Sequence, residues 1–191
     1  MGAIEAIIFD CFGVIYPQAG IPFFERYKAS LARNPQAWAD LVTKIDLGQI
    51  TRQEFYLAQE KITGVPARSA MDEIDSQMNV DRNLVALIKK LKPQYKIGFL
   101  SNACKEEIEP VFRDKIDWLF DSMAVSYEVG AIKPDAKMFL VSAQRLGVEP
   151  EKCLFVDDSQ TNIDAAQSLG MKTLLYPTFG KIPAELSNLA A

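Results

Sequence analysis

Apolar residues fall along this chain in two rhythms. The first is a set of short unbroken runs. Residues 3 to 9 close on Ile7-Ile8-Phe9 and run straight into Asp10. YKIGFL at 95–100, a stretch near 122–126, KCLFV at 152–156 and KTLLY at 172–176 repeat the pattern. Short apolar runs bounded by turn residues predict strands buried on both faces. The second rhythm recurs at three and four residues, which predicts amphipathic helices. It covers 81–92, a segment near 104–113, 135–147 ended by Gly147, and NIDAAQSLG ended by Gly170. Strands alternating with helices predict a mainly parallel sheet with helices on both faces.

Between 16 and 80 only the helical rhythm is present. IPFFERYKASLA, PQAWADLVTKIDL, TRQEFYLAQEKIT and ARSAMDEIDSQM each read as one helix. Pro35 and Thr51 stand where helices start, Gly48 and Gly64 where they stop. The aromatics of this block, Phe23, Phe24, Tyr27, Trp38, Phe55 and Tyr56, are expected mostly in a core, with one or two facing a ligand. The predicted organisation is an α/β core of residues 1–15 and 81–191, with a small four-helix cap, 16–80, inserted after the first strand.

Composition narrows the chemistry. The chain has 191 residues, 49% of them hydrophobic and 24% charged, as in an ordinary globular protein. Its net charge is −4 with no basic run, which argues against nucleic acid as a partner. No apolar stretch is long enough to span a bilayer and no charged-then-apolar leader opens the chain, so no membrane role is expected. Ala6 breaks the myristoylation pattern that Gly2 would begin. Cys11, Cys104 and Cys153 are sparse and scattered, which fits a reducing cytoplasm. There is no histidine. Acid–base and metal chemistry therefore rest mainly on carboxylates, lysine, tyrosine or cysteine, and hard carboxylate donors favour a magnesium-like ion over zinc.

Parallel sheets place ligand sites at the carboxyl ends of their strands. Just after the predicted strands stand Asp10, then Ser101-Asn102, then Lys133-Pro134 in the third loop, then Asp157-Asp158. Taken singly, each has an ordinary role: a turn residue, a helix cap, a solvated lysine. Two adjacent aspartates are harder to explain that way, because they repel and a cap needs only one. Tyr127 and Glu128 precede Lys133 and are candidates for substrate contact, with surface placement the simpler expectation. Cys11 beside Asp10 is expected as buried packing.

That ordered set resembles the haloacid dehalogenase superfamily of hydrolases, over essentially the whole chain. FDCFGV, LSN, GAIKPDAKMF and FVDDSQTNIDAAQSLGM are similar to its four motifs in order. The resemblance implies a Rossmann-like five-stranded parallel sheet, with the first strand central between the second and fourth. It also implies a helical cap of the family's first type. Small phosphatases acting on sugar phosphates are similar in pattern. On these residues it implies Asp10 as nucleophile and Ser101 as a phosphoryl hydrogen-bond donor. Lys133 would neutralise charge, and Phe12, Gly13 and Asn102 would help bind phosphate. Magnesium would be held by Asp10, the Phe12 carbonyl and Asp158, with Asp157 close by. The partner is then a small phosphorylated metabolite, and the protein a monomer or homodimer.

One position departs from the family's commonest pattern. Its phosphatases carry a second aspartate two residues after the nucleophile, to protonate the leaving group and activate water. Here that position is Phe12, which moves no proton. Three readings compete: a phosphatase working without that group, a non-catalytic relative that binds a phosphorylated ligand or a protein, and a haloacid dehalogenase. Dehalogenases of the family carry an aromatic residue at this position. They lack the paired aspartates, so Asp157-Asp158 argues against that reading.

Overall fold

The computed structural model describes residues 3–190. The first strand, β1 (Ala6–Phe9), is buried along its whole length. Five helices follow it: α1 (Gly20–Arg26), α2 (Lys28–Leu31), α3 (Pro35–Asp46), α4 (Arg52–Thr63) and α5 (Ala67–Gln77). The alternating part then runs α6 (Arg82–Leu91), β2 (Lys96–Ser101), α7 (Glu109–Arg113), β3 (Ser122–Val125), α8 (Ser126–Val129), α9 (Ala136–Leu146), β4 (Cys153–Asp157), α10 (Gln160–Ser168), β5 (Lys172–Leu175) and α11 (Ala184–Asn188).

The sheet is parallel, in the order β3-β2-β1-β4-β5. Phe9 lies beside Phe99 on one side and Val156 on the other. A central parallel strand is covered on both faces, which is why β1 is continuously apolar rather than alternating. Its side chains still alternate in destination. Ile7 and Phe9 join Leu84, Ile88, Ile97 and Phe99 on one face. Ala6 and Ile8 join Leu100, Met138, Phe139 and Phe155 on the other. Gly98 lets α9 approach the second face: a Cβ there would stand 2.9 Å from Leu146 Cδ1 and 3.1 Å from Ile8 Cγ1.

The helices between β1 and α6 have an apolar cluster of their own, built on Phe23, Ile45, Phe55, Tyr56 and Ile74. Cys104, from the loop after β2, belongs to the same cluster and seats the insert on the sheet. Asn34 caps α3, with Pro35 in its first turn. Thr51 and Glu54 form a capping box at the start of α4, and Gly64 ends it in a left-handed conformation. Two expected helices are broken. IPFFERYKASLA divides into α1 and α2 at Tyr27, whose N–H bonds the Phe24 carbonyl three residues back (3.0 Å), tightening the turn. The segment 104–113 is a 3₁₀ turn at Glu106–Ile108 followed by α7. Pro110 has no N–H to carry a regular helix through this point. Among the described residues no helix is long and apolar enough to cross a membrane.

Candidate active site

The four strand-end groups converge at the carboxyl edge of the sheet. Asp10 follows β1, and its N–H bonds the Val156 carbonyl at 2.9 Å, which fixes it against β4. The Lys133 ammonium donates to Asp10 Oδ1 at 2.6 Å and to Asp157 Oδ2 at 2.8 Å. Asp10 and Lys133 are each 6% exposed and Asp157 is fully buried, so these ion pairs are made out of bulk water. Asp157 is also held by the Ser159 N–H at 2.8 Å and by the Asn162 amide at 3.1 Å. Lys133 bonds Asp10 through Oδ1.

Asp158 is half-buried beside this core of charge. The Gln18 amide donates to Asp158 Oδ2 at 3.3 Å and to the Phe12 carbonyl at 3.1 Å. Those two oxygens therefore face one point. Gly13 passes so close beneath, at φ +92°, that a Cβ would stand 2.0 Å from Asp158 Oδ2. Asp10, Asp157 and Asp158 each offer an oxygen, and the three lie within 4.8 Å of one another. Against three carboxylates stands one ammonium. Close-set hard oxygens with excess negative charge fit a magnesium-like cation.

Electrostatics follow from this crowding. Burial pushes the Asp10 carboxyl up to about 7, with Asp157 adding to the rise and Lys133 opposing it. Burial would lower the Lys133 pKa, but Asp10 and Asp157 outweigh it and hold the ammonium charged. Burial also raises Asp158, against the pull of the Gln18 hydrogen bond.

Asn102 stands next to the ion pair but spends its amide on positioning. Its Oδ1 accepts from the Lys133 N–H at 2.7 Å, and its Nδ2 donates to the Lys133 carbonyl at 3.1 Å. Ser101 is fully buried, with Oγ directed at the Asn102 carbonyl at 3.4 Å, and it lies beneath the cavity rather than in its wall. Tyr127 and Glu128 bond each other and do not border the cavity; Tyr127 packs partly against the sheet core, and Glu128 is exposed.

That cavity, about 760 Å³, separates the sheet from the insert. Asp10, Phe12, Asn102, Glu107, Lys133 and Asp158 border it from below. Trp38, Phe55, Tyr56, Arg52 and Asp46 border it from above. Phe12 packs partly against the sheet core and leaves Asp10, Lys133 and Asp158 open to the cavity. Of the insert's aromatics, Phe24, Trp38, Phe55 and Tyr56 reach the cavity, while Phe23 is sealed in the core.

Several participants carry no signal in sequence. Asn162 is the exception: it stands in the first turn of α10, five residues past Asp157, where an amide can reach back. Gln18, Asp46 and Ser126 are ordinary polar residues until the insert folds over the sheet.

A family model for haloacid dehalogenase-like hydrolases matches residues 4–170. The chain belongs to that family. Among curated proteins the chain is similar to a drimenol cyclase of Aspergillus calidoustus, 24% identical over 97% of this chain and 36% of that protein. It is also similar to a phosphorylated carbohydrates phosphatase of Thermotoga maritima, 24% identical over 90% of this chain and 84% of that one. It spans about a third of the length of the first curated relatives it matches. Its fold matches that of a family enzyme from Bacteroides thetaiotaomicron, crystallised with magnesium and inorganic phosphate. There the TM-score is 0.77 at 23% identity, over 96% of this chain and 99% of that one.

Proposed function

We propose that this hydrolase is a magnesium-dependent phosphatase of a small, sugar-phosphate-like ester. In this reading the helices between β1 and α6 serve as its cap. The observation that carries the reading is the buried Lys133 ammonium between Asp10 and Asp157, with an oxygen of Asp158 within 4.8 Å of those of Asp10 and Asp157. A structural ion pair needs one carboxylate. Three carboxylates around one ammonium are costly to keep unless a cation joins them. Halide displacement has no use for that cation, which disfavours the dehalogenase reading. The cavity over Asp10 stays open beside Phe12, which supports turnover over a merely binding role.

Lys133 bonds Oδ1 of Asp10 and does not engage Oδ2, the oxygen that would attack phosphorus in line. The attack forms an aspartyl-phosphate and expels the alcohol; water then cleaves the acyl phosphate. Magnesium, when bound, supplies the positive charge that keeps Asp10 ionised and orients the phosphoryl group. Asp10, the Phe12 carbonyl, Asp158 and Asp157 would hold it. Lys133 stabilises charge on the phosphoryl oxygens, and Asn102 holds Lys133 in place.

The test is phosphate release from a panel of esters, with and without magnesium. Wild-type protein should release phosphate, EDTA should stop it, and Asp10→Asn should reduce it by ~10³-fold or more, as expected for loss of a nucleophile. Magnesium-tight binding of phosphate with no turnover of any ester would instead establish the binding reading.

A further inference from the structure

Phe12 leaves the reaction without its usual proton carrier, yet an alkoxide does not leave phosphorus readily without a proton. A carboxyl group from the insert borders the same cavity, on a backbone that is held in place. Asp46 is the last residue of α3 and borders the same cavity as Asp10 and Lys133. Its backbone is tied to the sheet side: the Ser126 hydroxyl donates to the Asp46 carbonyl and accepts from the Ala103 N–H at 2.9 Å. Ala103 follows Asn102, the residue that clamps Lys133. A chain of bonds thus sets Asp46 relative to the reacting groups, although it comes from the insert.

Its side chain is free for chemistry, since the carboxyl makes no hydrogen bond or ion pair with another described residue. The charged groups that act on it are Glu107, from the turn after β2, and Lys133. Arg52 borders the cavity too, but Asp75 holds it in a two-point ion pair. Burial, and then repulsion by Glu107, push the Asp46 carboxyl up to about 7 against the pull of Lys133. Its place at a helix C-terminus, the negative end of the dipole, acts in the same direction.

We propose that Asp46 is the general acid and base that Phe12 replaces, delivering its proton from the insert side of the cavity. This rests on the phosphatase reading. In the first step Asp10 bonds phosphorus, the phosphorus–oxygen bond to the alcohol breaks, and the Asp46 proton goes to the leaving oxygen. In the second, Asp46 as carboxylate takes a proton from water as the water oxygen bonds phosphorus. The bond to Asp10 breaks, phosphate leaves and Asp46 is protonated again. Both steps balance without any other reactant.

Leaving-group dependence isolates this role. A nitrophenyl phosphate expels a weak base that needs no proton; an alkyl phosphate does not. Asp46→Asn should lower kcat/KM on the alkyl ester by ~10²–10⁴-fold, and on the nitrophenyl ester by at least tenfold less. In wild type, kcat/KM on the alkyl ester should fall as pH rises past about 7, and Asp46→Asn should lack that limb. Asp46→Glu should restore part of the alkyl activity. Equal losses on both esters in a folded variant would make Asp46 merely structural, and no loss would remove it from the reaction. Wild-type protein inactive on every ester would instead overturn the phosphatase reading, and this assignment with it.

Discussion

At φ +92°, Gly13 turns the chain directly beneath Asp158, and no side chain fits in the gap. Gly13→Ala should cost ~1–3 kcal/mol for the left-handed conformation alone, read by urea unfolding. Because the new methyl must push Asp158 aside, magnesium affinity measured by calorimetry should fall by tenfold or more; an unchanged affinity would show that Asp158 is not a ligand. Asp46 makes a second prediction at this scale, independent of turnover. Its carboxyl moves from an ordinary 3.8 to about 7 on folding. The folded protein holds that proton more tightly, so the contribution to stability is present below about 3.8 and is lost as pH rises through about 7. Asp46→Asn cannot ionise. Its Tm relative to wild type should therefore climb as pH rises across that window, whereas a pH-independent difference would mean the carboxyl is not raised. The charged groups at the strand ends were legible in sequence only as an ordered set, because each alone reads as a turn residue, a helix cap or a solvated lysine. Asp46 was not legible: an aspartate closing a helix looks like any other, and only the Ser126 bond and the cavity give it a role.

The elements themselves were largely written in local pattern. Strands β1, β2 and β4 follow from unbroken apolar runs, and α4 from Thr51, Glu54 and Gly64 acting as start and stop. Thr51→Ala should destabilise by ~1 kcal/mol through loss of the capping box, seen as a lower urea midpoint. The misjudged helices failed for local reasons that periodicity ignores. Tyr27 tightens its turn within an otherwise regular apolar pattern, and Pro110 interrupts a segment whose spacing still looks helical. Packing between elements was less visible. Gly98 reads as a weak strand residue, yet it is where α9 rests on the sheet.

Across the whole molecule, one site is assembled from residues far apart in the chain, and its charge is out of balance: Asp10, Asp157 and Asp158 against Lys133. Without metal, that excess should weaken the fold. Asp158→Asn should raise the Tm of metal-free protein by ~2–4 °C, the shift expected for about 1 kcal/mol in a chain of this size. Wild type should gain stability as magnesium is added, by about 2.7 kcal/mol at a hundred times Kd, and the variant should not. Equal magnesium gains in both proteins would place the cation elsewhere. The sheet order has a separate consequence, for the path by which the molecule forms. The central strand is the first of the fold, and residues 6–9 find their neighbours only at 96–99 and 153–156. A chain emerging from the ribosome carries Ile7, Ile8 and Phe9 without a strand neighbour until residues 96–99 are made, and with one edge of the strand open until residues 153–156 follow. Folding then depends on long-range closure, and the nascent chain exposes an open edge of its central strand until β4 is made.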